Sequence, residues 1–243
     1  MKKKISTGTV KKYDGNLSSR LHFRGRRIGK KLRVGQQKLL EILLPRLQVN
    51  LLNPCPDFEM TMSTTPNQVW LEIGFGGGEH LYAQAKAMPK IGFIGCEPYK
   101  NGVVKLLRKI KNERIENIRI FDDDASLLLE AMTERYIDRA FILFSDPWPK
   151  KRHHKRRFVN KNNLDLLAKV MKDGAELLFA SDHNEFATWS LEHFLNHSSF
   201  MWCAESARDW RSPPNGWIST RYEEKALSQS LSPIYLRFKR SER

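Results

Sequence analysis

The sequence predicts an α/β domain: about seven strands in a mostly parallel sheet flanked by helices, with a basic extension ahead of it. Three observations carry that expectation. At 69–87 a buried apolar run, a glycine turn and a helical pattern follow one another, VWLEIGFGGGEHLYAQAKA, the sequence form of a βα unit. Further short apolar runs, IGFIGCE, IRIF, AFILF and AELLFASD, alternate with helical patterns, as parallel strands joined by crossover helices require. Two late runs, FMWCAE and SPIYLRFKR, complete the count.

Taken in order, residues 1–35 form a basic arm in which Asp14 is the only acid, and glycines at 8, 15, 25, 29 and 35 interrupt any periodicity. Such a segment is flexible when alone, and either lies along phosphates or remains a solvated tail. Residues 36–66 hold a helix and a connection. Apolar residues at 39, 40, 43, 44 and 47 make a helical stripe with Pro45 inside it, and prolines at 54, 56 and 66 punctuate the passage into the first strand. The main domain runs from 67 to 243. Its helical patterns include NGVVKLLRKIKN, SLLLEAM, KNNLDLLAKVMK and HNEFATWSLEHFL.

Composition narrows the function classes. Lys and Arg total 42 against 27 Asp and Glu, a formal net charge of +15, a field that attracts polyanions and nucleic acid above all. An anionic membrane would call for a basic amphipathic helix or a lipid signal, and neither is evident. Cys55, Cys96 and Cys203 are odd in number and lack CxxC spacing, which suits a reducing compartment and not a zinc site. With no apolar leader or bilayer-length run, the expectation is a soluble cytoplasmic protein with no metal and no obligatory protein partner.

The glycine turn carries the first chemistry. Glycines at 74, 76, 77 and 78 follow a strand ending in the acidic Glu72, and glycine is needed where a backbone turns tightly or a ligand approaches closer than a Cβ allows. A tight turn without a ligand is the plainer alternative. A dinucleotide fingerprint needs a third glycine where Glu79 stands, and no G-K-[ST] follows for a phosphate loop. Glu97 closes the second strand about 20 residues after the turn, the interval at which an acid takes ribose hydroxyls in nucleotide-binding βαβ units. A carboxylate suits a cis diol, offering two acceptors to two donors.

Asp122, Asp123 and Asp124 follow the third strand. They form either a solvated turn or a helix cap, or one of them accepts from an adenine amino group. AFILF delivers Ser145, Asp146, Pro147 and Trp148 to the carboxyl edge, and eight consecutive residues from Lys150 to Arg157 are basic or histidine. Like charges so dense repel unless a polyanion is present. His153 and His154 are adjacent, point apart on any regular element and make poor co-ligands, so they face RNA or solvent. Asp182 ends a later strand at the same edge. Thr220-Arg221-Tyr222-Glu223 has the form of a capping box.

Together LEIGFGGG, GCEPY, SDPWPKKRHHKRR, ASDHN and TRYE resemble, in order and spacing, the bacterial tRNA (guanine-N7-)-methyltransferase family, from about residue 20 to the C-terminus. The resemblance implies a class I, Rossmann-like methyltransferase fold, with S-adenosylmethionine as donor and the variable-loop guanine of tRNA, position 46, as acceptor. It implies a cofactor site of Glu72, Gly74, Gly76, Gly78, Glu97, Asp124 and Asp146, with Asp146 also catalytic. Lys150, Asp182, Thr220, Arg221, Tyr222 and Glu223 would hold the substrate, and Arg152, His153, His154, Lys155, Arg156 and Arg157 would meet RNA. Asp124 is chosen among the three aspartates only by its place beside Ala125. Two rival readings stand beside it. SDPW resembles the signature of amino methyltransferases acting on adenine N6 or cytosine N4, although that signature has two prolines before the aromatic. A non-catalytic RNA-binding module with a relic pocket is the other.

Overall fold

The computed structural model describes residues 25–58, 62 and 65–243, so most of the basic arm, 1–24, lies outside the described residues. Among the described residues seven strands form one sheet: β1 (Gln68–Ile73), β2 (Ile91–Cys96), β3 (Ile118–Phe121), β4 (Ile137–Leu143), β5 (Met171–Ser181), β6 (Phe200–Trp202) and β7 (Ile234–Arg240), in the spatial order β3-β2-β1-β4-β5-β7-β6. The first five are parallel, and β7 runs antiparallel to both β5 and β6. Helices α1 (Val34–Lys38) and α2 (Leu44–Leu47) precede the sheet, and α3 (Glu79–Ala87), α4 (Lys100–Glu113), α5 (Ala125–Ala131), α6 (Lys161–Val170) and α7 (Asn184–Leu195) connect its strands. The short α8 (Arg208–Arg211) and α9 (Arg221–Ser228) lie between β6 and β7.

Period-2 alternation splits the strand side chains between two cores. Leu71, Ile94, Ile142, Leu177 and Phe179 face Leu128, Leu129, Leu164, Leu167 and Phe186 on one side. On the other, Trp70, Phe93, Ile118, Ile120 and Phe141 pack with Leu44, Leu47, Leu81, Leu106 and Leu107. The stripe expected at 39–47 therefore seals a face of the sheet. Its tail joins the sheet edge, where the Val49 amide donates to the Ile120 carbonyl at 2.9 Å. Pro45 does not end that segment: the chain stays helical over 34–47, and the α ladder gives way to a π turn over Leu39–Leu43 directly ahead of the proline, the kind of local adjustment that accommodates a residue with no N–H to donate. Met171 and Lys172, expected at the end of a helix, instead open β5, and the β4–β5 register shifts between Ile137 and Arg139.

Two features of this topology make a site. Registers Ile73↔Cys96, Cys96↔Phe121, Ile73↔Ile142 and Leu143↔Ala180 bring the carboxyl ends of five parallel strands to one rim, where open α/β sheets bind ligands. The reversed β7 then pairs its first residue, Ile234, with Ser181 at the end of β5. The segment leading into β7, α9 included, must consequently reach its strand from the same rim. Among the described residues no helix is long and apolar enough to cross a membrane.

Candidate active site and nucleic-acid interface

The glycine turn leaves β1 with left-handed backbones at Gly74, Gly76 and Gly78, φ 75°, 56° and 70°, which residues with a Cβ adopt at a cost. A side chain at Gly74 would meet nothing within 4 Å, so its backbone fronts open space. At Gly78 a Cβ would fall 2.8 Å from the Leu106 side chain, and at Gly102 2.1 Å from the Gly76 carbonyl. The turn is thus pressed against α4 and open towards the rim, as a ligand cradle is. Gly102 carries no local sequence signal, because nothing marks a glycine in the first turn of a strong amphipathic pattern.

Glu97 is tied to that turn. Its carboxylate accepts from the Gly76 amide at 2.7 Å and from the Tyr99 amide at 2.9 Å. Burial raises its pKa above the ordinary glutamate range, the two amide bonds oppose this, and the fields of Asp146 and Glu72 add to the rise. Glu72 is buried at the end of β1 and bonded to His80 Nδ1 at 2.6 Å.

The three aspartates after β3 divide their work. Asp122 pairs with Lys100 and accepts from Gln48 at 2.7 Å, and Asp123 pairs with Arg27 at 2.6 Å. Asp124 caps α5, its Oδ1 accepting from the Ser126 amide at 3.0 Å. Capping and contact with an adenine are compatible for Asp124, since a carboxylate has a second oxygen. The arm is docked here at its described end: Lys100 donates its amide to the Arg27 carbonyl, and the Gly29 amide donates to Asn101, each at 2.8 Å.

Asp146 follows β4 in a loop bounded by two left-handed non-glycine residues, Phe144 at φ 50° and Trp148 at φ 43°. Such backbones cost about 1–3 kcal/mol each and persist where surroundings impose them. Asp146 remains open to solvent in a concave part of the rim, where the neighbouring protein raises its carboxyl pKa by desolvation. Tyr222, half exposed, leans over the turn from α9, since a Cβ at Gly76 would lie 3.2 Å from its ring. Burial, then the fields of Glu97 and Asp146, raise the Tyr222 phenol pKa. Asp182 stands half-buried immediately after β5.

Several expectations need correction. Arg157, expected on RNA, is 1 % exposed. Its Nε donates to the Pro147 carbonyl at 2.8 Å, Nη1 donates to Glu185 at 3.0 Å, and the guanidinium lies 4.9 Å from the Trp189 ring centre. His154 turns inward against the Trp189 ring, and half-buried His153 stands edge-on to Trp148. Desolvation, then the cations Arg156, Arg152, Lys150 and Lys155, lower the His153 pKa. Arg156 lies over Trp148 at 4.9 Å. What faces solvent is Lys150, Lys151, Arg152 and Lys155. In α9, Thr220 and Glu223 form the reciprocal capping box, and the buried Glu223 carboxylate also accepts from Trp217 Nε1 at 2.6 Å and from the Tyr235 hydroxyl. The carboxylate is buried and turned towards Trp217 and Tyr235, so Glu223 shapes the site from within the protein. Arg221 and Tyr222 are the exposed members. A helical i, i+3 periodicity separates inward from outward members of such runs, but the 3₁₀ turn at Lys151–Arg156 was not legible in a run uniform in charge.

A family model described as "Putative methyltransferase" matches residues 66–235. A tRNA (guanine-N(7)-)-methyltransferase of Chelativorans sp. (strain BNC1) is 46% identical over 219 residues, covering 90% of this chain and 94% of its own. The chain belongs to the tRNA (guanine-N7-)-methyltransferase family. A second member, from Rhizobium meliloti (strain 1021), is 46% identical over 220 residues, covering 90% and 95% of the two chains. Among solved structures, the 16S rRNA methyltransferase KamB aligns at TM-score 0.55 with 16% identity, over 76% of this chain and 93% of that one. At that identity the likeness shows the fold alone, a class I methyltransferase sheet.

Proposed function

We propose that this chain transfers a methyl group from S-adenosylmethionine to N7 of the variable-loop guanine of tRNA, giving 7-methylguanosine. One observation carries the reading: Glu97 is locked to the Gly76 amide beside the open backbone at Gly74, which is a cradle with a diol acceptor at its edge. Glu97 would take the ribose hydroxyls, Glu72 and the glycine turn the amino-acid end, and Asp124 the adenine. Bound there, the donor supplies an electrophilic methyl on a sulfonium. Guanine N7 attacks through a lone pair and has no proton to lose, so the chain needs no strong general base. The work of its side chains is alignment, which supplies several kcal/mol when reacting atoms are held in line.

Methylation leaves a cationic purine, and Asp146 at the rim favours that charge as it develops. Asp182 would accept from the guanine N1 and N2 donors. Arg221 and Tyr222 flank the base, and Lys150 orients it or meets phosphate. Asp146→Asn is expected to lower kcat by roughly 10²-fold, in the range of losing one preorganised electrostatic contact, with little change in the KM for donor. Near wild-type turnover at saturating donor and tRNA would remove Asp146 from that role.

N7 lies in the major groove, which in A-form RNA is too deep and narrow for side chains to read, so the base must be presented by the fold of the tRNA. Lys151, Arg152 and Lys155 would grip its phosphates. Affinity is then expected to fall linearly in log–log terms with salt, and alanine at all three should reduce that slope by about 2. A slope unchanged by the triple substitution would contradict the phosphate role. The decisive assay of the whole reading incubates the protein with labelled S-adenosylmethionine and total tRNA, then identifies the labelled nucleoside after digestion. Label in any nucleoside other than 7-methylguanosine, or none, overturns it.

A further inference from the structure

His80 is buried behind the site, and through it the two halves of the site touch a second time, apart from Tyr222 over Gly76. It occupies the first turn of α3, 2 % exposed, and points back across the glycine turn to β1. Its Nδ1 lies 2.6 Å from Glu72 Oε2, and its Nε2 lies 3.2 Å from Gln84 Nε2. With Gln84 donating to Nε2, the ring proton belongs on Nδ1 and is given to Glu72. The faces of the same ring are used as well. Phe141 meets it edge-on at 4.8 Å, and Trp217 packs on it at 5.7 Å with the planes 36° apart.

Trp217 continues the path. It stands edge-on to Tyr235 at 5.3 Å and gives its indole N–H to Glu223. Glu223 is the third residue of α9, and its neighbour Tyr222 returns over Gly76, whose amide holds Glu97. The contacts therefore close a circuit around the cleft: Glu72, His80, Trp217, Glu223, Tyr222, the glycine turn and Glu97. A histidine that served only α3 would need no more than its bond to Gln84. This one bonds the acid of the donor side and packs on the aromatic that orients the acceptor side.

We infer that His80 is a positioning residue that couples donor binding to acceptor binding, holding Glu72 through Nδ1 and the segment 217–223 through Trp217. The inference rests on the donor lying against Glu72. Seating the donor fixes Glu72 and His80, which steadies Trp217 and the helix that carries Arg221 and Tyr222. By reciprocity, seating tRNA against that helix tightens donor binding by the same factor.

Calorimetric titration with S-adenosylhomocysteine, with and without saturating tRNA, tests it. The wild type should bind at least about 5-fold more tightly with tRNA, the lower end of ordinary coupling between sites. His80→Asn keeps a donor for Glu72 but loses the ring. It should bind S-adenosylhomocysteine alone within about 3-fold of wild type while the ratio falls towards 1. Trp217→Phe keeps a ring on His80 and loses the N–H to Glu223, and its ratio should fall too. A wild-type ratio of 1, or a ratio preserved in both variants, overturns the coupling. If His80→Asn does not fold, the Trp217→Phe ratio decides alone. Glu72→Gln separates the two claims, because unchanged affinity for S-adenosylhomocysteine in that variant refutes the donor's place against Glu72 and not the His80 linkage.

Discussion

Glu97→Ala should weaken S-adenosylmethionine binding by about 100-fold while the protein stays folded. The two ribose hydroxyls would each donate to an ionised oxygen, and bonds to charged groups contribute about 1.5–3 kcal/mol apiece. The lower figure for two such bonds is about 3 kcal/mol, or two decades in Kd. The substitution also frees the Gly76 and Tyr99 amides, each bonded to this carboxylate, so the turn loses its anchor as well as its diol acceptor. The raised pKa of Glu97 adds a pH signature. The donor needs the carboxylate, so wild-type affinity should fall on acidification beginning above the ordinary glutamate value. Folding responds in the opposite sense. A pKa raised in the folded state means that the native protein holds this proton more tightly, so the group's stabilisation is full below its unfolded value and is lost as pH rises through the folded one. Calorimetry with S-adenosylhomocysteine between pH 5 and 8 checks the first and thermal melts over the same range the second, and a Kd within a few-fold of wild type for Glu97→Ala would take the ribose away from this residue.

The strands and helices of this fold were legible because their signals are local. A run such as IGFIGCE has one reading once a glycine turn precedes it and a helical pattern follows, and Glu97 falls at the rim by arithmetic alone. Partner choice was not legible in the same way. Nothing in FDDDA says that Asp122 meets Lys100 and Gln48 while Asp123 meets Arg27, because those partners come from α4 and from chain before β1. The capping box at Thr220 was visible as a pattern, and the structure adds where the Glu223 carboxylate goes: it is buried against Trp217 and Tyr235. His80 was invisible for a related reason. On its helix it reads as one polar residue among several, and only the tight return of the chain from β1 into the first turn of α3 makes it the partner of Glu72.

Arg157→Met is expected to behave as a stability and turnover variant, not as an RNA-binding one, which sets the structure against the plain reading of a basic run. The guanidinium is buried between Phe186 and Trp189 and its N–H groups serve Pro147 and Glu185. Methionine fills much of the volume but leaves the Pro147 carbonyl without its donor, and loss of hydrogen bonds from a charged group costs about 2–3 kcal/mol. For a chain of this size that corresponds to a fall in Tm of about 5–10 °C. Turnover should suffer more than stability. The loop holds Trp148 in a left-handed backbone that these bonds help to impose, and Asp146 is two residues away. Relaxation of such a loop by about 1 Å is enough to cost roughly 10²-fold in rate. Arg157→Lys should not rescue it, because one ammonium cannot reproduce a planar fork that reaches a carbonyl and a carboxylate at once. Arg152→Ala, on the exposed side of the same turn, should do the reverse, raising the KM for tRNA and leaving Tm unchanged. If Arg157→Met kept the wild-type Tm and kcat and altered only tRNA affinity and its salt dependence, the guanidinium would belong on the phosphates, and the strut between the Asp146 loop and α7 would have to be abandoned.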